Sequence, residues 1–94
     1  MISYTVYMSW FLYVAQACTG RYYVGITTEP DRRIKDHNNG RGCRMAVNQG
    51  PFKLVYVSPE LANQSIARKL EIQVKGWTRE RKTRLINGEC KLEI

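Results

Sequence analysis

Two near-continuous apolar runs open the chain, residues 10–17 (WFLYVAQA) and 21–26 (RYYVGI), both rich in aromatic and β-branched residues. Cys18-Thr19-Gly20 separates them with a turn-compatible glycine, so the pair predicts a β-hairpin. The runs are continuous rather than strictly alternating, so the sheet is expected to be covered on more than one side. Tyr22 and Tyr23 are neighbours in the second run and should face opposite sides of it. A third run, 52–58 (FKLVYVS), predicts a further strand that Pro59 ends.

Between and after these runs the period changes. Thr28-Glu29-Pro30-Asp31 has the marks of a helix start: Thr28 to cap, Pro30 in the first turn, acidic residues against the N-terminal dipole. This helix should run to His37 or Asn38, where Asn38-Asn39-Gly40 stops it. Residues 41–50 form a basic, glycine-containing loop with room for a helical turn around 44–47. From 63 to 77, Ile66, Ala67, Leu70, Val74 and Trp77 share an arc of about 100° on a helical wheel. Gly76 weakens the end of that helix. Thr78 caps a second, strongly basic helix that reaches about Ile86 and stops at Asn87-Gly88. Residues 89–94 read as a short strand or a disordered tail, and residues 1–8 as an extra strand or a frayed leader. The order is an α+β arrangement: a small antiparallel three-stranded sheet, hairpin plus third strand, flanked by about three helices. No repeat or linker breaks residues 1–94, which argues for a single domain.

Composition changes the picture through charge. Fifteen Lys and Arg against eight Asp and Glu give +7, with a pI near 9.6. A basic surface attracts polyanions, so nucleic acid is the first candidate partner and an anionic membrane the second. Residues 1–17 are apolar-rich, but Ser3, Tyr4, Thr5, Ser9 and Gln16 interrupt them and no basic start precedes them, so neither a signal peptide nor a membrane span is expected there. Cys18, Cys43 and Cys90 form no close pair, and one histidine is too few for a Cys/His zinc site. Reduced thiols suit a cytoplasmic protein.

A few side chains have the chemistry to act on a phosphodiester. Arg33 and His37 stand at i and i+4, hence on one helix face. Arg33 suits a phosphate oxygen through its fixed fork of donors, and His37 can move a proton near neutral pH. The plain alternative is two solvated residues on a surface helix. Tyr13 and Tyr23 lie on the two arms of the hairpin, where tyrosines ordinarily pack. Glu71 stands about 140° round the wheel from Ile66, just past the apolar arc. There it can hold a hard cation at the rim of the core, or simply pair with Lys75 at i+4.

The order of these residues resembles the GIY-YIG nuclease family. Phe11-Leu12-Tyr13 stands where the first family tripeptide belongs and keeps its tyrosine; Tyr23-Val24-Gly25 matches the second with one mild change. The run 23–37 (YVGITTEPDRRIKDH), then Leu70-Glu71, Lys75, Trp77, Arg81-Lys82 and Leu85-Ile86, resembles its small stand-alone members. The resemblance implies a catalytic set of Tyr13, Tyr23, Arg33, His37 and Glu71. Tyr13 would orient or deprotonate the attacking water, His37 would relay its proton, and Tyr23 would position water or phosphate. Arg33 would stabilise the transition state, and Glu71 would hold one Mg²⁺ or Mn²⁺. Gly25 would allow a close backbone approach. Arg32 leaves the arginine open by one position, and the i+4 relation to His37 favours Arg33. Asn87 stands near the place of a late family asparagine, but helix termination accounts for it as well.

The expected function is therefore a metal-dependent endonuclease that hydrolyses DNA, structure-selective and linked to DNA repair or recombination. Arg41 and Arg44 after the first helix, and Arg79, Arg81, Lys82 and Arg84 on the last, are the expected DNA-binding residues. Two alternatives stay open: an inactive nucleic-acid-binding module of the same fold, and a nuclease subunit that needs a partner protein.

Overall fold

In a computed structural model of the chain the described residues are 9–38 and 51–93, the side chain of His37 excepted. The expected loop at 41–50 and the segment 1–8 lie outside them. The hairpin forms from β1 (Phe11–Gln16) and β2 (Tyr22–Thr27), paired antiparallel. Its turn needs the glycine: Gly20 has φ +90°, and its N–H donates to Ala17 O at 2.9 Å. A third strand, β3 (Lys53–Val57), pairs antiparallel with the other edge of β1, so the order is β2-β1-β3. The helices are α1 (Pro30–Asn38), α2 (Gln64–Lys75) and α3 (Arg79–Ile86). A three-stranded antiparallel sheet with three helices is thus the architecture of the described residues.

The central place of β1 explains its unbroken hydrophobicity. Leu12 and Val14 are fully buried on one face, and Tyr13 and Ala15 are buried on the other. The Leu12 face carries the larger core, closed by Leu61 and by Ala67, Leu70 and Val74 of α2. Trp77 and Ile86 pack against the same core from the start and end of the last helical segment. The Tyr13 face carries a smaller cluster with Ala17 and Phe52, against which Ile34 of α1 packs. Tyr22 belongs to the first cluster and Tyr23 to the second, as their adjacency on a strand requires. On the Leu12 face Tyr56 is opposite Val14. Burial, and after it the nearby Cys90 thiol, raises the Tyr56 phenol above its ordinary value, which keeps it a neutral core residue.

Several local expectations are corrected. β3 is one residue shorter at each end than the apolar run 52–58. Ser58 leaves the strand because its hydroxyl accepts Leu12 N–H at 2.9 Å, while its own N–H donates to Leu12 O at 2.8 Å. Phe52 leaves it because both its backbone groups bond the Asn38 side-chain amide. The start of α1 is also shifted. Pro30 is its first residue, so Glu29 is the cap and its carbonyl accepts Arg33 N–H at 3.0 Å. The hydroxyl that accepts Glu29 N–H is that of Thr27, at 3.1 Å, one residue before the expected Thr28. Finally, residues 89–93 form no strand; Leu92 folds back on the larger core. Thr78 caps α3 as expected, accepting Arg81 N–H at 3.2 Å; α2 is shorter than the expected 63–77, because Asn63 is its cap, accepting Ile66 N–H at 2.9 Å, and Gly76 ends it.

Asn38 is more than a helix stop. Its amide bonds both backbone groups of Phe52 and so ties the end of α1 to the start of β3. Replacing Asn38 with Ala removes both bonds. The variant is expected to lose about 1–3 kcal/mol in urea unfolding, with an unchanged m value; a midpoint equal to the wild type's would show that water replaces the amide freely.

Candidate functional site

The β1–β2 register decides where the tyrosines go. Tyr13 is opposite Gly25, and Tyr23 is opposite Ala15, two positions along. Both rings therefore belong to the same sheet face, as diagonal neighbours. The Tyr13 ring lies over Gly25: a Cβ built there would meet Tyr13 Oη at 2.5 Å and Cζ at 2.6 Å. Glycine at 25 is thus required by contact, not by an unusual φ. Tyr23 meets Phe52 edge to face, with centroids 5.3 Å apart and planes at 82°. Its hydroxyl is buried and has no hydrogen-bond partner among the described residues.

A cleft of about 530 Å³ opens beside these rings. Tyr13, Tyr23, Arg33 and Glu71 all line it, together with Arg68, Lys75 and Lys82. Residues of both faces of β2 line it too, among them Tyr22, Val24 and Gly25. The cleft therefore wraps the edge that β2 forms among the described residues, and this is how α2, packed on the opposite face, contributes Glu71. Leu70 and Val74 hold α2 to the core, which leaves Glu71 directed to the side. Four cationic side chains and one carboxylate line the cleft, so its field favours an anion.

Glu71 is buried, with its residue 7% exposed. Its Oε1 accepts from Arg68 Nη1 at 2.9 Å, and its Oε2 faces Lys75 Nζ at 3.5 Å. The helix ion pair with Lys75 is therefore real, and a second cation shares the carboxylate. The donor set still fits a hard divalent cation. One carboxylate at a cleft, with waters and a substrate phosphate for the remaining positions, is a common way to hold Mg²⁺. Among the described residues no group of three or more His, Cys, Asp or Glu gathers to form an all-protein cage.

The other sequence-derived residues separate. Arg33 is exposed and lines the cleft. Arg32 instead pairs with Glu29 at 3.2 Å and does not line this cleft. His37 lies in α1 one turn after Arg33, with its side chain outside the described residues. Arg41 and Arg44 also lie outside them. On α3, Lys82 lines the cleft, whereas its neighbours have structural partners. Arg79 donates to Gly20 O at 2.9 Å and stacks on the Tyr22 ring at 4.3 Å, fastening α3 to the hairpin turn. Arg81 stacks on Trp77 at 3.9 Å, and Arg84 pairs with Glu80 at 2.7 Å. Arg68 was not among the residues expected at the site, and Lys75 was expected only as a helix partner of Glu71 and as part of the family resemblance. The signal for both was their spacing, three residues before Glu71 and four after it.

Comparison with known proteins agrees with this geometry. The sequence pattern described as the GIY-YIG catalytic domain matches residues 9–84. The chain belongs to the GIY-YIG family. Within it the chain is similar to a UPF0213 protein of Klebsiella pneumoniae, 38% identical over 88 residues, which cover 94% of this chain and 82% of the relative. A solution structure of a UPF0213 protein of Bacillus halodurans matches with a TM-score of 0.54 and 34% identity, over 85% of this chain and 84% of that one. A second, of a protein of E. faecalis, matches with a TM-score of 0.56 and 29% identity over 92% of each chain. The GIY-YIG fold is thus present, and its two motif tyrosines share a cleft with an arginine and a glutamate. No helix among the described residues is long and apolar enough to cross a membrane.

The Tyr13–Gly25 contact makes a direct prediction. Gly25→Ala forces the Tyr13 ring off its partner and is expected to lower stability by about 1–3 kcal/mol. The Tyr13 ring resonances should shift in NMR spectra while those of Tyr56 stay in place; an unmoved Tyr13 would mean that its ring is held elsewhere.

Proposed function

We propose that this chain is a divalent-metal-dependent endonuclease acting on DNA. The observation that carries the reading is the convergence of Tyr13, Tyr23, Arg33 and Glu71 on one cationic cleft. Hydrolysis of a phosphodiester needs an oriented water, stabilisation of added negative charge, and help for the departing oxygen. In this reading Tyr13 orients the water and takes its proton, and His37 receives it. Tyr23 brings a buried hydroxyl, without a hydrogen-bond partner among the described residues, to the wall of the cleft, where it donates to water or phosphate. Arg33 extends its permanent charge toward the phosphorane-like transition state. Glu71 would hold Mg²⁺ or Mn²⁺, which supplies polarisation of the phosphate and neutralises the leaving oxygen. Lys82 is the α3 residue best placed to hold a phosphate, because Arg79, Arg81 and Arg84 are engaged elsewhere.

Phosphate contacts position a duplex without reading it, so selection by DNA structure, of the kind repair or recombination needs, suits this surface. A second reading, a DNA-binding module without chemistry, draws on one observation: both Glu71 oxygens face cations of the chain itself.

Purified protein incubated with flapped, branched, duplex and single-stranded DNA in Mg²⁺ or Mn²⁺ separates the two. Nicked product on at least one substrate is expected. Glu71→Gln should abolish it with DNA binding retained, and Arg33→Ala should slow it by about 10²–10³-fold. DNA binding with no product on any substrate would favour the binding module, and undiminished cleavage by Glu71→Gln would remove Glu71 from the mechanism.

A further inference from the structure

Arg68 and Lys75 bracket Glu71 on one face of α2, one turn to either side, and both line the cleft. Together they set two positive charges against one carboxylate. Their side chains are 56% and 57% exposed, whereas that of Glu71 is 9% exposed. The carboxylate is therefore fixed, and its two partners are long, solvated and free to swing. Ion pairs with so exposed a cation hold weakly. A divalent cation on Glu71 would bring the same double charge to the same oxygens and repel both side chains. Each would then lie within the cleft as an unpaired cation beside the place where a phosphodiester is bound.

Resting on the nuclease reading above, we propose that Arg68 and Lys75 are phosphate-binding residues of the cleft that Glu71 holds in reserve. They guard the carboxylate in the free protein and move to DNA phosphates when a divalent cation takes their place. The consequence is positive coupling: cation and DNA each strengthen the binding of the other, by an equal factor. It also accounts for a carboxylate that is shared by two cations and yet lies at the edge of an anion-attracting cleft.

The test needs no turnover. Mn²⁺ binding is followed by electron paramagnetic resonance, and binding of a fluorescent duplex by anisotropy with and without Mn²⁺, in Tyr13→Phe protein to suppress cleavage. Against that background, Mn²⁺ should tighten DNA binding by about 5–50-fold, a usual size for such coupling. Adding Arg68→Gln and Lys75→Met should tighten Mn²⁺ binding without DNA by about two- to tenfold, since the competitors are gone. The same pair should abolish most of the Mn²⁺-dependent gain in DNA affinity. Each single substitution, which leaves Glu71 one partner and guards against a folding defect, should move both quantities the same way by less. Mn²⁺ affinity that is unchanged or weaker in these variants, or an undiminished gain in DNA affinity, overturns the inference alone. A Mn²⁺ signal that is absent, or that survives Glu71→Gln, overturns the metal assignment of Glu71 and this inference with it.

Discussion

The ring of Tyr13 lying over Gly25 is the contact on which the candidate site depends. It pins β1 to β2 in one register, because a slip of one residue would send every side chain to the opposite face. In that register Tyr23 falls opposite Ala15, a residue small enough to leave its ring room to meet Phe52. The same register turns Leu12, Val14, Tyr22 and Val24 to the larger core. A glycine in a motif and a tyrosine in another motif are thus two halves of one packing contact. The altered first tripeptide is explained in the same terms. Phe11 and Leu12 fill an ordinary strand, and what the site needs from that segment is the ring at position 13.

Because β1 has no solvent face, the sheet needs helices on both sides, and the chain supplies them unequally. α1 covers the Tyr13 face through Ile34, while α2 and α3 cover the Leu12 face. A site made of β1, β2, α1 and α2 must then cross from one face to the other. It does so around β2, the edge strand among the described residues, and that edge is where the tyrosines and Glu71 meet. An edge strand is normally a liability, and here its flank is occupied by charged side chains of α2, as natural sheets commonly arrange.

The excess of positive charge divides into two uses. Arg79 and Arg81 hold α3 in place, one on the hairpin turn and Tyr22, the other on Trp77. Arg33, Arg68, Lys75 and Lys82 face the cleft. A guanidinium stacked on an aromatic ring stabilises packing as much as it displays charge. Counting Lys and Arg along the last helix therefore overstates what is free to meet a polyanion, and passing over α2 understates it.

The sequence by itself determined the elements and most of their ends. Strand and helix runs follow from apolar period, and Thr78 and Gly20 act through their own backbone neighbours, so a local reading finds them. It also determined that Tyr22 and Tyr23 part company and that Arg33 and His37 share a helix. The family resemblance named five residues, four of which the fold gathers at one cleft. Only the tertiary structure decided the rest. Thr27 displaces Thr28 because Pro30 sets the first turn, and Asn38 bonds Phe52 across a span of fourteen residues that no local rule bridges. Which cations face the cleft depends on the rotation of α2 and α3 against the sheet, and that rotation is set by Leu70, Val74 and Ile86 seeking the core. Charge along a chain is a property of sequence, but the direction in which a charge points is a consequence of packing.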